Sequence, residues 1–198
     1  MNFKSQLGQD EWVCKIFDYK KNGYFIDIGA FNGIDFSNTY CLEKELDWQG
    51  VCVEAAKNSF NSLIKNRKCL CLNKAIYNEN KMVLFNENGM FGMIKEDGDQ
   101  AIEAITIDKL LEICNAPNLI DYISLDIEGS EYEALEKFPF DKYKVIAWTI
   151  EHNSHLDSSV LKEKVRKIMI DNKYSLVPEN QKAITWEDWF YDSEFIKI

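Results

Sequence analysis

Two spacings of apolar residues alternate along this chain. Short apolar runs bounded by turn formers occur at Tyr24–Ile28 (YFIDI), Gly50–Glu54 (GVCVE), Leu70–Lys74, Met82–Asn86, Asp121–Glu128 (DYISLDIE) and Lys144–Glu151 (KVIAWTIE). Their length and their Ile, Val and Phe content predict buried strands. Between them, helices are expected over Ser37–Leu46 and Lys57–Asn66, and from Thr106 onward. SEYE at Ser130–Glu133 has the form of a capping box, which predicts a helix start there. Val160, Leu161, Val165, Ile168 and Met169 recur at helical spacing. Tyr174–Val177 and Ala183–Phe190 end the pattern as strand-like segments, short enough to form an antiparallel hairpin. Residues 87–103, which include most of NENGMFGMIKEDGD, are rich in turn formers and read as a long exposed loop or lid.

Repeated β-α units with a two-strand finish predict one α/β domain with a mostly parallel seven-stranded sheet, helices on both faces and a C-terminal antiparallel hairpin. The ligand of such a sheet sits beyond the carboxyl ends of its strands. Those ends carry Asp27, Glu54, Asp126 with Glu128, and Glu151 with His152. Isolated carboxylates are costly to bury, so their gathering at one sheet edge points to a polar site.

The loop after the first strand is Asp27-Ile-Gly29-Ala-Phe-Asn-Gly33. A dinucleotide fold wants G-x-G-x-x-G, and a P-loop ends in Gly-Lys-Ser/Thr; neither is present. An acidic residue where a phosphate would arrive argues against an anionic ligand and suits a sulfonium with an amino-acid tail. Glu54 ends the second strand about 20 residues further on, where a carboxylate accepts hydrogen bonds from ribose hydroxyls. Together these features point to S-adenosylmethionine.

SQLGQDEW near the start, FIDIGAFNGIDFSNT, GVCVEA, SLDIEGSEYEAL and TIEHN together resemble the FkbM-type methyltransferases, over about Ser5 to Phe190. The resemblance implies a class I, Rossmann-like methyltransferase fold. It also implies methyl transfer from S-adenosylmethionine, usually to a hydroxyl oxygen of a sugar, glycan or natural product. The chain is short for the family, which leaves the acceptor class open. The cofactor contacts expected on this basis are Gln9, Asp27, Gly29, Ala30, Asn32, Ser37, Asn38, Glu54, Ala55 and Asp126. The expected acceptor is a sugar, glycan or sugar-nucleotide. A methyltransferase for protein, RNA or a small molecule, or a non-catalytic cofactor-binding scaffold, is the alternative.

An alcohol loses its proton reluctantly at neutral pH, so O-methylation needs a general base or a metal that acidifies the hydroxyl. His152, just past the fifth predicted strand, is the candidate base; a hydrogen-bonded structural histidine is the competing reading. His155 reads as exposed. Asp126 and Glu151 are also catalytic candidates. They could hold Mg²⁺ or Mn²⁺, with His152 or Asn153 completing the set. A third possibility is that Asp126 and Glu128 orient cofactor and acceptor without a metal. Ser5, Gln6, Gln9 and Asp10 read either as helix caps or as ligand contacts. Trp186, Trp189, Phe190 and Tyr191 read either as core and edge packing or as a sugar-stacking wall.

Charge and composition narrow the partners. Thirty-three acidic against 23 basic side chains give a net charge of −10, which repels polyanions and disfavours nucleic acid. No stretch approaches the roughly 20 apolar residues of a membrane span. The N-terminus has no apolar signal core, so the expected location is cytoplasmic. The six cysteines are expected to be reduced thiols, Cys69 and Cys71 alternating with leucines in CLCLN as strand residues do.

Overall fold

The structure, a computed structural model, describes residues 1–153, 159–178 and 186–197. Its elements run α1 (Gln9–Ile16), β1 (Tyr24–Ile28), α2 (Tyr40–Leu46), β2 (Gln49–Val53), α3 (Lys57–Asn66), β3 (Leu70–Leu72), β4 (Ala75–Ile76), β5 (Lys81–Asn86), a 3₁₀ turn (Gly89–Phe91), β6 (Met93–Ile94) and β7 (Gln100–Ile105). They continue α4 (Ile107–Ile113), β8 (Leu119–Leu125), α5 (Glu131–Leu135), β9 (Lys144–Glu151), α6 (Ser159–Asp171), β10 (Ser175–Leu176) and β11 (Glu187–Tyr191).

Seven strands form the main sheet in the order β10-β11-β9-β8-β1-β2-β3. All pairs from β9 to β3 are parallel, and β11 alone is reversed, slotted between β9 and β10. The order turns back at β1 and β8. Asp27 and Asp126 therefore meet across a topological switch point, where the crevice of an open α/β sheet opens.

Alternation along the strands divides the core into two layers. Ile26, Ile28, Ile123, Leu125, Trp148 and Ile150 pack with Leu110 and Leu111 of α4, Leu135 of α5 and Met169 of α6. Phe25, Cys52, Tyr122 and Ala147 pack on the other face with Val13 of α1, Leu42 of α2 and Leu63 of α3. Phe25 and Asp27 share that second face, which turns the Asp27 carboxylate toward α2 and the end of α3.

Several expectations are corrected. Residues 87–103 are not one open loop: β6 and most of β7 lie there, and a second sheet, ordered β4-β7-β5-β6, gathers them. Turn formers in that stretch mark the tight corners of short strands. The strand expected at Leu70–Lys74 stops at Leu72, and the chain crosses to the second sheet at β4. The helix expected from Ser37 begins at Tyr40, because Ser37 Oγ accepts from the Thr39 and Tyr40 amides in a turn (3.3 and 3.1 Å). Helix α5 does begin in this stretch, at Glu131, yet without the reciprocal capping box. Ser130 makes no side-chain cap; instead the buried Glu131 carboxylate reaches back to the Ile127 and Gly129 amides. Helix α4 begins at Ile107, directly after Thr106, whose hydroxyl caps it by accepting from Lys109 N at 3.2 Å.

Cys69 and Cys71 are half-buried and Cys52 is buried, and all six thiols are free. Among the described residues no helix is long and apolar enough to cross a membrane. Expectations for His155 and for residues 183–185 fall outside the described residues.

Candidate active site

A cavity of about 310 Å³ opens at the carboxyl ends of the main sheet, and residues of the second sheet help to wall it. The first wall is the loop after β1. Gly29 sits at φ +90°, and a Cβ there would lie 1.7 Å from the Asp126 carbonyl oxygen. The amides of Gly29 and Ala30 donate to Val53 O (2.9 and 3.0 Å), and Asp126 N donates to Ile28 O (3.0 Å). The backbone at this point is thus wedged between the ends of β2 and β8, with no room for a side chain.

Asp27, Ala30, Ser37, Asn38, Glu54, Ala55, Gln9 and Asp126 line the cavity together with Gly29. Glu54 faces it while each of its oxygens accepts one backbone amide, from Phe31 and from Ala56, both at 2.7 Å. Gln9 bridges inward, accepting from Leu7 N and donating to Glu187 Oε2 (both 2.9 Å). Asp10 does not line the cavity: it caps the amides of Lys4, Ser5 and Glu11. Asn32 does not line it either. Its Oδ1 accepts from Ile34 N and Asp35 N (3.0 and 2.9 Å), so it shapes the loop from behind.

Beyond β8 and β9 stands a group of carboxylates. One oxygen from each of Asp126, Glu128 and Glu151 lies within 4.8 Å of the others. Asn153 Nδ2 donates to Glu151 Oε2 at 2.7 Å and to Glu128 Oε2 at 3.1 Å. Glu128 takes up the left-handed backbone region at φ +57° to present its side chain there. Burial raises Asp126, and burial with the charges of Asp126, Glu128 and Glu131 raises Glu151 well above the usual carboxylate range.

His152 is placed elsewhere. One residue beyond Glu151 on an extended strand end, it points to the opposite face. Its side chain is buried with Nε2 3.7 Å from Asp188 Oδ2, and Asp188 is held by Arg166 at 2.6 and 3.0 Å. It does not line the cavity, so neither the base nor the metal-ligand expectation for His152 fits this geometry. Glu128 occupies the place in the cluster that His152 was expected to fill. The aromatic tail divides too: Trp186 lines the cavity, while Trp189 packs on Trp12 (centroids 5.0 Å apart) and Phe190 is core.

Sequence reasoning missed the second-sheet wall of Phe85, Met90, Phe91 and Ile94. The available signal was a pair of large apolar residues, Met90 and Phe91, set between Gly89 and Gly92 in a stretch otherwise polar enough to be a loop.

Buried carboxylates leave a mark on stability. Burial pushes Asp27 up to about 6, overriding the Arg67 charge and the Thr39 hydroxyl, and pushes Glu54 to about 7 and Glu131 to about 8, overriding the backbone amides that act to lower them. Their ordinary values are 3.8 and 4.5. Between the ordinary and the raised values the folded state holds more protons than the unfolded chain, so stability falls as pH rises. The melting temperature of the ligand-free protein is expected to be higher near pH 5 than near pH 8, with most of the drop between the values just given. Calorimetric scans across that range check it, and a melting temperature that rises with pH there would contradict the assignment.

A family profile described as methyltransferase FkbM domain matches residues 27–176. The chain belongs to the FkbM methyltransferase family. It is accordingly an S-adenosylmethionine-dependent methyltransferase domain. No curated protein sequence matches the chain. Among solved structures it is similar to the precorrin-6y C5,15-methyltransferase of Geobacter metallireducens, at TM-score 0.54 and 9% identity over 92% of this chain and 87% of that one. It is also similar to a proposed O-methyltransferase of Klebsiella pneumoniae, at TM-score 0.51 and 10% identity over 94% and 80% of the two chains. At such identities these likenesses establish the class I methyltransferase fold alone.

Proposed function

We propose that this FkbM domain transfers the methyl group of S-adenosylmethionine to a hydroxyl oxygen of a carbohydrate, as a free sugar, a sugar nucleotide or a glycan. The observation that carries the reading is the Asp126–Glu128–Glu151 group, built on the same cavity as the Asp27-Gly29-Glu54 cofactor elements. Methyl transfer is an in-line displacement at a carbon already activated by the sulfonium. What remains for the protein is to align the acceptor oxygen and take its proton. The cavity wall also offers Gln6, Ser130, Asn153 and Glu187 as hydrogen-bonding groups, with Trp186 and Phe36 as apolar faces. That mixture suits a ring bearing several hydroxyls.

Glu54 is assigned to the ribose hydroxyls and Asp27 to the amino-acid end of the cofactor. Glu54→Ala is expected to weaken S-adenosylmethionine binding by about 1.5–3 kcal/mol, the scale of hydrogen bonds to a charged group. Unchanged affinity by calorimetry in a folded variant would remove the assignment.

The donor set also fits a hard divalent cation. Three carboxylates converge, and among the described residues no lysine, arginine or histidine makes an ion pair with any of them. Asp126, Glu128 and Glu151 would hold Mg²⁺ or Mn²⁺, which prefer oxygen ligands. Such an ion lowers the pKa of a hydroxyl bound to it. The protein's own share is to fix the three carboxylates through Asn153 and the strand ends, and to keep His152 out of the cluster.

The deciding experiment incubates the protein with methyl-labelled S-adenosylmethionine and a panel of sugars, sugar nucleotides and oligosaccharides, and maps the label by mass spectrometry. Label on a carbohydrate oxygen is the expected result. Label found only on nitrogen, on protein or on RNA would overturn the carbohydrate reading.

A further inference from the structure

Arg67 is the C-cap of α3, and its side chain is fully covered. A guanidinium withdrawn from water is tolerated only when its N–H groups find acceptors. Here Nε donates to Glu43 Oε2 at 2.8 Å, Nη1 to Gly33 O at 3.5 Å and Ser37 Oγ at 3.3 Å, and Nη2 to Thr39 Oγ1 at 2.9 Å. Its Cζ lies 5.3 Å from the Phe25 ring centroid. Burial alone would raise Glu43, yet Arg67, Lys44 and the Lys68 amide hold it down at about 2, so the ion pair is intact at neutral pH. Gly33, Ser37 and Thr39 all belong to the segment between β1 and α2. The preceding residue, Asn66, adds another tie to that segment by donating to Asn32 O at 2.8 Å.

The direction of one hydrogen bond matters most. Thr39 Oγ1 receives the Nη2 proton of Arg67, which leaves the hydroxyl's own proton to point at Asp27 Oδ2, 2.6 Å away. Arg67 Nη1 stands 3.9 Å from the same oxygen. The other oxygen, Oδ1, accepts no hydrogen bond from a described residue, while Asp27 lines the cavity. One oxygen of the carboxylate is thus fixed from behind and the other is left for a ligand.

We propose that Arg67 is a positioning residue that acts through the Thr39 hydroxyl to hold Asp27 as an oriented carboxylate for the α-ammonium group of the methyl donor. The inference rests on the assignment of Asp27 to the amino-acid end of the cofactor. Loss of the guanidinium frees the Thr39 hydroxyl to turn and removes the positive charge behind Asp27. The cavity then loses its grip on an ammonium group and keeps its grip on adenosine.

The test uses two probes, S-adenosylhomocysteine and the same thioether lacking the amino group, 5′-S-(3-carboxypropyl)-5′-thioadenosine. Both are titrated by calorimetry into the wild type, Arg67→Met, Thr39→Val and Asp27→Asn. The wild type is expected to prefer the amine-bearing probe by about tenfold or more, the scale of one charge-assisted hydrogen bond. Arg67→Met and Thr39→Val should each shrink that preference below about threefold, while binding of the deaminated probe stays within about threefold of wild type. Equal losses for both probes, or an undiminished preference, would overturn the positioning role; equal losses would leave Arg67 as a clasp on the loop. A wild type without preference, or a preference retained by Asp27→Asn, would instead overturn the assignment of Asp27. Should Arg67→Met fail to fold, Thr39→Val decides alone, since it removes one hydroxyl and keeps the side chain's shape.

Discussion

Gly29→Val is expected to abolish S-adenosylmethionine binding. Two independent penalties meet at this residue. A β-branched side chain at φ +90° occupies a backbone region that L-residues rarely adopt, at a cost of about 1–3 kcal/mol,. Its Cβ would also have to sit 1.7 Å from the Asp126 carbonyl oxygen, far inside contact distance. That oxygen belongs to backbone and has little freedom to retreat, because Asp126 N is bound to Ile28 O in the adjoining strand. Relief must come from spreading β1 and β8 at their carboxyl ends, which separates Asp27 from Asp126. Far-UV circular dichroism should show most secondary structure retained, since the two core layers lie below this edge, while calorimetry shows no binding. A folded variant with near-normal affinity would place the cofactor elsewhere.

Glu151→Gln is expected to lower turnover by about two to four orders of magnitude while leaving cofactor affinity nearly unchanged. The amide keeps the size of the side chain and its carbonyl can still accept from Asn153. What it removes is one of three converging carboxyl groups, and with it the capacity to exchange a proton or hold a divalent cation. The same loss relieves repulsion: burial and three neighbouring carboxylates push Glu151 upward in the ligand-free protein. The variant should therefore melt higher than wild type in the absence of metal. Chelation separates the metal route from the metal-free one. If Asp126, Glu128 and Glu151 hold an ion, exhaustive chelation should stop wild-type turnover, and Mg²⁺ or Mn²⁺ should restore it there but not in Glu151→Gln. Full wild-type activity after chelation, with no metal detected in the protein, would rule the ion out. Turnover of Glu151→Gln within tenfold of wild type would remove Glu151 from the chemistry altogether.

The physics of what was legible in the sequence is local. Apolar runs with strand spacing set β1, β2, β8 and β9, because each must bury itself on two faces and so carries few polar residues. The Asp27-to-Gly33 spacing marked a glycine turn at the end of β1, since the positive φ and close packing at Gly29 demand glycine there, and Glu54 stands at the end of the next strand on the same cavity. Strand ends named Asp126 and Glu151. FIDIGAFNGIDFSNT was thus read correctly as strand, loop and helix approach, though the helix waits until Tyr40.

Other features depended on packing between segments distant in sequence. Direction along a strand end separates Glu151 from His152: adjacent residues face opposite sides, and the assembled cavity takes Glu151 but not His152. Glu128 joins the carboxylates through a left-handed backbone turn that no run of residues announces. The second sheet brings β4, Phe85 of β5 and Ile94 of β6 against the cavity, although β4 and β6 are two residues long and too short for a clear period. Arg67 directly follows α3 and carries no sequence signal of its own. It becomes a buried partner of Thr39 and Asp27 because α3 returns across the loop, about 30 to 40 residues after the chain left it,. Sequence thus determined the main-sheet strands β1, β2, β8 and β9, the glycine turn and the acidic strand ends, which follow from burial and backbone sterics within a few residues. Tertiary structure decided which of those groups face one another, because that depends on sheet order and on which face each side chain takes.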